Sequence, residues 1–342
     1  MGWWQVDADT LARGRFVVSP LCETISSLKV LQRHAPAAHP GARAWLAEHL
    51  PAFQELVRAD PLTPLLLDAA FRPHWNADFI TPTPAAEGGQ SFEEELAVLR
   101  ATPPEQVRDD LTVALGGPPP PALCRPDLAE RAADLVEWVW RRTVLPQWPV
   151  RRRVLEADVV ARTAQLSRGG WAAALEDMRP GLRWLGGDRL QINTHEHAPR
   201  ETSGARLLFV PVGFDTSWVS WEGRHRYAVV YPCAGALAEP DRPPAPEALG
   251  ALLGRGRARV LVLLDAPRST THLVALTGLP LGSVGRHLKV LLDARLVRRR
   301  RAGRSVLYYR TESGDVLVGS QQDDATEDRA PAGTGAAAAQ SR

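Results

Sequence analysis

The chain has 342 residues, of which 44% are hydrophobic and 23% are charged, as in globular proteins of two or three domains. Three scattered Cys exclude a disulfide framework, and no apolar run is long enough to cross a bilayer. The chain also lacks a basic start followed by an apolar core, and the formal net charge is only +2. We therefore expect a cytoplasmic protein without a membrane partner.

Residues 1–235 are predicted to form a helical domain with a small β-sheet. The first helix follows Ser19 and Pro20, which are a good N-cap and first-turn pair, and continues to Leu31. Alternating apolar residues between Gly181 and Pro232 indicate strands. The expected fold class is α+β, mainly α. Further helices are predicted at 41–58, 91–101, 105–115, 126–145 and 150–177.

Residues 1–235 offer little recognisable chemistry. His195 and His197 would lie on one face of a strand as a pair of metal ligands, but no third ligand stands at a helpful spacing. So short a motif is more often part of a solvated loop than of a metal site. We predict no catalytic residue, no metal site and no cofactor, whereas a few Trp side chains could line an effector pocket.

Composition divides the chain near residue 240. All 11 Trp lie between Trp3 and Trp221, and the Pro-rich stretch 236–246 favours the extended backbone of a linker. A second domain is predicted for residues 247–319. Residues 320–342 have almost nothing to bury and are predicted to be a disordered tail.

The second domain is strongly basic. Between Arg255 and Arg310 there are 13 Lys and Arg against 2 Asp and Glu, which leaves 28 basic and 37 acidic residues elsewhere. A basic segment on an otherwise acidic protein favours a polyanionic partner, although a solvated face or a membrane-surface helix has the same charge pattern.

The predicted elements of this domain have a recognisable order. After two short apolar helices, a third helix begins at the N-cap Ser269 and ends at Gly278. A fourth helix runs to Ala294, and two helices joined by a turn with Gly are typical of a helix-turn-helix. The runs 296–301 and 305–310 then read as a basic hairpin, which makes the whole a winged helix. The fourth helix would bury an apolar stripe, namely Val284, Leu288, Leu291 and Leu292.

Four segments of the domain resemble a known family. They are Leu273-Val-Ala-Leu-Thr-Gly-Leu279, Val284-Gly-Arg-His-Leu-Lys-Val-Leu291, Ala294-Arg-Leu-Val297 and Gly303-Arg-Ser-Val-Leu-Tyr-Tyr309. Together they resemble ArsR-type winged helix-turn-helix transcriptional regulators over residues 246–319. In residues 1–235, the motifs Ser19-Pro-Leu21, Asp78-Phe-Ile-Thr-Pro82 and Tyr231-Pro232 resemble an uncharacterised domain that precedes such winged helices in GC-rich actinobacterial proteins.

The resemblance implies a homodimer that binds a palindromic operator in double-stranded DNA, usually as a repressor released by a ligand. Metal-sensing members carry a Cys-rich signature where this chain has Ser269-Thr-Thr-His272, so a small-molecule effector is expected rather than a metal at that site. The dimer contact that the resemblance implies consists of Leu249, Leu252, Leu253, Val316 and Leu317.

The candidates for DNA contact are polar side chains of the fourth helix and arginines of the wing: Ser283, Arg286, His287, Lys289, Arg299, Arg301 and Arg304. Arg286 suits a bidentate contact with guanine or, alternatively, a phosphate contact. For His287 we favour packing or a phosphate contact over base reading.

Three residues depart from the family pattern. Gly282 and Gly285 each cost about 1 kcal/mol in a helix interior, but they allow DNA to approach the backbone closely. Arg295 replaces the Gly that usually precedes Leu-Val in the family, which predicts a strained helix end.

Two other functions stay open. A metal-dependent enzyme with an auxiliary basic winged helix would need a metal or cofactor in residues 1–235. A winged helix used only for protein contacts would retain no duplex DNA, even at low salt.

Overall fold

The computed structural model describes residues 2–34, 40–85, 88–175, 178–194, 198–233, 245–265, 267–302 and 305–327. Helices account for 58% and strands for 16%, which confirms the α+β, mainly α class. None of the helices in these ranges combines the length and the apolar character that crossing a membrane requires.

The first half of the chain is mainly helical. Ser19 caps α2 as predicted, because its Oγ accepts a hydrogen bond from the Cys22 backbone N at 3.0 Å. Ser91 and Glu94 form a reciprocal capping box at the start of α5. The helices here are α1 (Ala8–Ala12), α2 (Pro20–Arg33), α3 (Pro40–Ala59), α4 (Leu62–Ala70), α5 (Phe92–Arg100), α6 (Pro104–Leu115), α7 (Leu128–Val139) and α8 (Trp148–Leu175).

The predicted helix over 126–145 is shorter than expected. After α7 the backbone continues as a π-helical turn, Trp140–Val144, and a 3₁₀ turn, Leu145–Gln147. Pro146 has no N–H to donate and its ring clashes with a regular helical turn, so an α-helix cannot continue through it.

Two four-stranded sheets replace the one small sheet that was expected. Their orders are β3-β4-β1-β5 and β2-β6-β8-β7. The strands β1 and β2 come from the first residues of the chain, outside the stretch in which strands were predicted. The strands are β1 (Trp3–Gln5), β2 (Arg15–Phe16), β3 (Arg183–Gly186), β4 (Arg189–Gln191), β5 (Arg200–Glu201), β6 (Arg206–Val212), β7 (Trp218–Glu222) and β8 (Arg226–Pro232).

The second of these sheets is buried on both faces. Along β6, Leu208 and Val210 pack into the core formed with the helices α2 to α7. Their neighbours Leu207 and Phe209 point the other way, into a second core that contains Trp4. Successive side chains of a strand alternate between faces, so a continuously apolar strand such as β6 fills two cores.

The helix α8 is anchored both to a helix, α2, and to a strand, β8. Arg151 forms a buried ion pair with Glu23 of α2, with 2.8 Å between Nη1 and Oε1. Further along, Asp158 accepts a hydrogen bond from the hydroxyl of Tyr231 in β8 at 2.8 Å. These two contacts fix α8 against the helical core and the central sheet.

The C-terminal part has a core of its own. Its three strands form an antiparallel sheet in the order β10-β11-β9. The elements in chain order are α9 (Glu247–Leu253), α10 (Arg255–Val262), β9 (Arg268–Ser269), α11 (Thr270–Thr277), α12 (Leu281–Asp293), β10 (Val297–Ala302), β11 (Ser305–Arg310) and α13 (Glu312–Glu327).

This arrangement is the winged helix-turn-helix that the sequence predicts, and we call residues 245–327 the winged-helix module. Ser269 Oγ accepts from the His272 backbone N at 3.1 Å at the start of α11, and Gly278 ends that helix with a φ of 70°. The strands β10 and β11 form the wing. The module meets the rest of the protein where α11 contacts α8.

Two predicted boundaries differ from the structure or fall outside it. The helix α13 continues to Glu327, whereas a disordered tail was expected from residue 320. Residues 328–342, and most of the linker predicted at 236–246, lie outside the described residues.

Candidate nucleic-acid interface

The helix α12 separates a buried face from a solvent face as its sequence predicts. Val284, Leu288 and Leu291 are buried in the core of the winged-helix module. Gly282, Gly285, Arg286 and Lys289 are exposed. A helix that is apolar on one stripe and open on the other presents its open face to solvent or to a partner.

Arg286 and Ser283 lie together on the open face. The Nη2 of Arg286 is 3.3 Å from Ser283 Oγ, a long hydrogen bond between side chains one turn apart. The guanidinium has five N–H donors, and within the described residues it forms no ion pair. Most of its hydrogen-bonding capacity therefore faces solvent.

His287 is placed for packing. A Cβ added to Gly256, near the start of α10, would lie 2.6 Å from His287 Nε2, so the imidazole covers that backbone. Partial burial lowers the pKa of His287, and the nearby Arg257 and Arg286 lower it further. The ring is therefore neutral at pH 7 and a weak partner for phosphate, which supports the packing interpretation.

Lys289 is exposed and pairs with Asp293 one turn later, at 2.9 Å between Nζ and Oδ2. Exposed pairs of this kind contribute 0–1 kcal/mol in water, so the ammonium can exchange the carboxylate for another anion at low cost.

The wing carries its arginines on both faces. In the register of the hairpin, Arg299 pairs with Tyr308 and Arg301 with Val306, whereas Arg298 and Arg300 pair with Tyr309 and Leu307. Paired residues share a face and successive residues alternate, so the four arginines divide two and two. All four are exposed. Arg304 lies outside the described residues.

The arginines of this surface differ in their ion pairing. Within the described residues, none of Arg286, Arg298, Arg299 and Arg300 forms an ion pair. Arg268 is different, because it is buried and donates to Leu263 O at 2.6 Å and to Asp265 Oδ1 at 3.2 Å. It belongs to the framework beneath the wing.

The five apolar side chains expected at a dimer contact divide into three groups. Leu249 is only 1% exposed and belongs to the core of the winged-helix module, so its assignment to a contact surface is corrected. Leu253 and Leu317 are half-buried against that core. Leu252 and Val316 are 68% and 66% exposed, on the helices α9 and α13 that contact each other.

The part of the chain that the structure describes contains no group of three or more His, Cys, Asp or Glu side chains placed to hold a metal ion. His195 and His197 lie outside that part. No family model, no curated protein and no solved structure matches this chain.

Proposed function

We propose that this protein is a DNA-binding transcriptional regulator whose winged-helix module docks on duplex DNA. The observation that carries the proposal is the set of exposed arginines without ion-pair partners, one on α12 and three on the wing. Cations left unneutralised by the protein itself are what a polyanion requires, because each one that meets a phosphate releases a condensed counterion.

The helix α12 and the wing would contact different parts of the DNA. The helix α12 enters the major groove, where Arg286 reaches a guanine edge, and the wing arginines hold the phosphates and set the register. The proposed repressor is a homodimer whose contact includes the exposed Leu252 and Val316. Its two copies of α12 then read the halves of a palindrome about 34 Å apart.

The resemblance to ArsR-type regulators supports a repressor released by a small-molecule effector. Such an effector shifts the equilibrium only if it binds one arrangement of the dimer better than the other.

The test is fluorescence anisotropy with two duplexes, one of random sequence and one obtained by in vitro selection on the full chain. Arg286→Ala is expected to weaken binding to the selected duplex by about 1–3 kcal/mol and to reduce the preference for it. Arg299→Ala should weaken binding to both duplexes alike. Arg108→Ala, an exposed arginine on α6, is the control and should change neither.

Salt dependence gives a second measurement. With six or more phosphate contacts, affinity should fall about a thousandfold between 50 and 200 mM salt. If the full chain retains neither duplex at 50 mM salt, the DNA proposal is wrong and a module for protein contacts is favoured. Light scattering of Leu252→Asp, expected to be a monomer where the natural chain is a dimer, tests the assembly.

A further inference from the structure

The part of the chain before the winged-helix module contains a cavity of about 760 Å³. Its walls come from residues 2–4 with β1, the second half of α2, the loop at 72–78, residues 179–181, 192–194 and 198–200, and residues 215–221 with most of β7. Cavities of this volume hold small organic molecules, with room for a ring system and its substituents.

Cations dominate the walls of this cavity. Of the lining side chains, Lys29, Arg33, Arg72 and Arg200 form no ion pair within the described residues. Arg33 and Arg72 are exposed, whereas Lys29 is only 3% exposed. The charges therefore extend from the mouth of the cavity to its interior, an arrangement that attracts anions and concentrates them at the site.

The acidic side chains that line the cavity offset little of this charge. Asp215 is exposed, where water screens it. Burial and, to a lesser extent, the nearby Asp110 raise the pKa of Asp78 to about 7, and Arg200 opposes the shift. Near neutral pH a large fraction of Asp78 is thus protonated, and the guanidinium groups of Arg33, Arg72 and Arg200 keep an excess of positive charge in the cavity.

Lys29 is held against aromatic rings. Its Nζ donates to Asn76 Oδ1 at 2.7 Å and lies 4.7 Å from the ring centre of Phe71 and 5.7 Å from that of Trp218. Burial and, to a lesser extent, the nearby Arg33 lower the pKa of this amine to about 7. An anion bound beside Lys29 would stabilise the ammonium form that the protein alone disfavours.

Flat surfaces line the same space. The guanidinium of Arg200 stacks on Trp221, 3.8 Å from the ring centre, and Trp75 meets Trp221 edge to face at 5.4 Å. Trp4 also lines the cavity, and its buried Nε1–H has no acceptor among the described residues. Indole walls and a stacked guanidinium bind a planar ring well.

We propose that this cavity binds a small organic anion that carries a flat ring. The carboxylate or phosphate of the ligand lies against Lys29 and Arg200, and the ring packs on Trp218 and Trp221. The proposal does not rest on DNA binding, and it is tested on the full chain without DNA.

Isothermal titration calorimetry with matched probes provides the test. Indole-3-acetate and adenosine 5′-monophosphate supply a ring with a carboxylate or a phosphate, and the stronger of the two identifies the source of the charge. Indole-3-acetamide and adenosine are their neutral counterparts, and tryptamine is the cationic one. At least one of the two anions should bind with a Kd below about 1 mM and at least tenfold more tightly than its neutral counterpart.

Variants locate the site. Lys29→Met and Arg200→Gln should each weaken binding of the anion at least tenfold, whereas Arg189→Gln, an exposed arginine of β4 outside the cavity, should not. Hydrogen exchange on the natural chain should show ligand protection at 72–78 and 215–221. If no anion binds, if tryptamine or a neutral probe binds as tightly, or if Arg200→Gln binds normally, the proposal is overturned.

Discussion

Glu23 of α2 and Arg151 of α8 form an ion pair withdrawn from water, with 2.8 Å between Oε1 and Nη1 and side chains that are 0% and 1% exposed. The second oxygen of Glu23 accepts a hydrogen bond from the backbone N of Gly213, just after β6, at 2.6 Å. Arg151 also donates to Ser27 Oγ at 3.2 Å. One carboxylate thus joins two helices and a strand end.

Removing one partner of this pair should destabilise the protein strongly. Arg151→Met leaves the Glu23 carboxylate buried without its counter-charge, and we expect a loss of about 3–5 kcal/mol in the free energy of unfolding. Urea unfolding followed by tryptophan fluorescence measures it, because every Trp lies before residue 222. The double variant Glu23→Gln/Arg151→Met should recover part of the loss. A cost of less than 1 kcal/mol for Arg151→Met would contradict this account.

The substitution Gly285→Ala should have opposite effects on the stability of α12 and on its affinity for DNA. Nothing lies within 4 Å of a Cβ added at this position, so Ala should stabilise α12 by about 1 kcal/mol. If DNA approaches this backbone closely, the same methyl group should weaken binding to the selected duplex several-fold. Hydrogen exchange over 281–293 and anisotropy measure the two effects. Gly319→Ala on α13 is the control, because a Cβ added there also meets nothing within 4 Å, and it should leave DNA binding unchanged. If Gly285→Ala binds the selected duplex as tightly as the natural chain does, DNA does not approach the backbone at Gly285 closely.

Arg295→Gly should stabilise the end of α12. Arg295 has a φ of 59°, in the left-handed region that costs an L-residue roughly 1–2 kcal/mol. The hydrogen bonds from Arg295 N to Leu292 O and from Leu296 N to Leu291 O, both 2.9 Å, hold it there. After the greater chain entropy of Gly is allowed for, a net gain of about 0.5–1 kcal/mol is expected. Hydrogen exchange near residues 291–297 should slow several-fold, whereas Arg295→Ala, which keeps the strain, should not slow it.

Glu95→Gln should change the pH dependence of stability. Glu95 Oε2 accepts from Ser19 Oγ at 2.9 Å and from Leu21 N at 2.8 Å, yet burial dominates and raises the pKa to about 7 from 4.5. Between these values the folded chain binds more protons than the unfolded chain, so the free energy of unfolding falls as pH rises.

The amide has no proton to lose, so Glu95→Gln should be more stable than the natural chain at pH 8, by up to about 3 kcal/mol. The difference should shrink towards pH 5. Thermal unfolding across this range provides the measurement, with the exposed Glu105→Gln as control. A difference that stays constant with pH would show that Glu95 does not titrate in this range.

Local features of the fold could be read from the sequence, because their causes lie within a few residues. Ser19 and Ser269 cap the helices they were expected to cap, and Arg295 has the strained backbone that its replacement of a glycine predicts. The stripe on α12 was likewise correct for Val284 and Leu288.

Features that depend on distant segments could not be read in this way. The strand β1 pairs with β4 and β5, whose residues lie 184 to 196 positions later in the chain. Its three-residue sequence has no pattern from which these partners could be predicted. Leu249 and Leu252 are both apolar and lie on one short helix, and only the packing of α9 decides that the first is buried and the second exposed. The cavity is assembled from seven separate segments, so its charges and its rings are far apart in the sequence.

The helix α2 supplies Lys29 to the cavity and, less than two turns earlier, Glu23 to the ion pair with α8. The helix α8 in turn contacts α11. A displacement that begins at the amine of Lys29 would therefore reach the helix-turn-helix through the Glu23–Arg151 ion pair and along α8, whose backbone leaves the helical conformation at Gly170 with a φ of 68°. Breaking this ion pair while both helices stay folded is the direct test of whether binding in the cavity and binding at the helix-turn-helix are coupled.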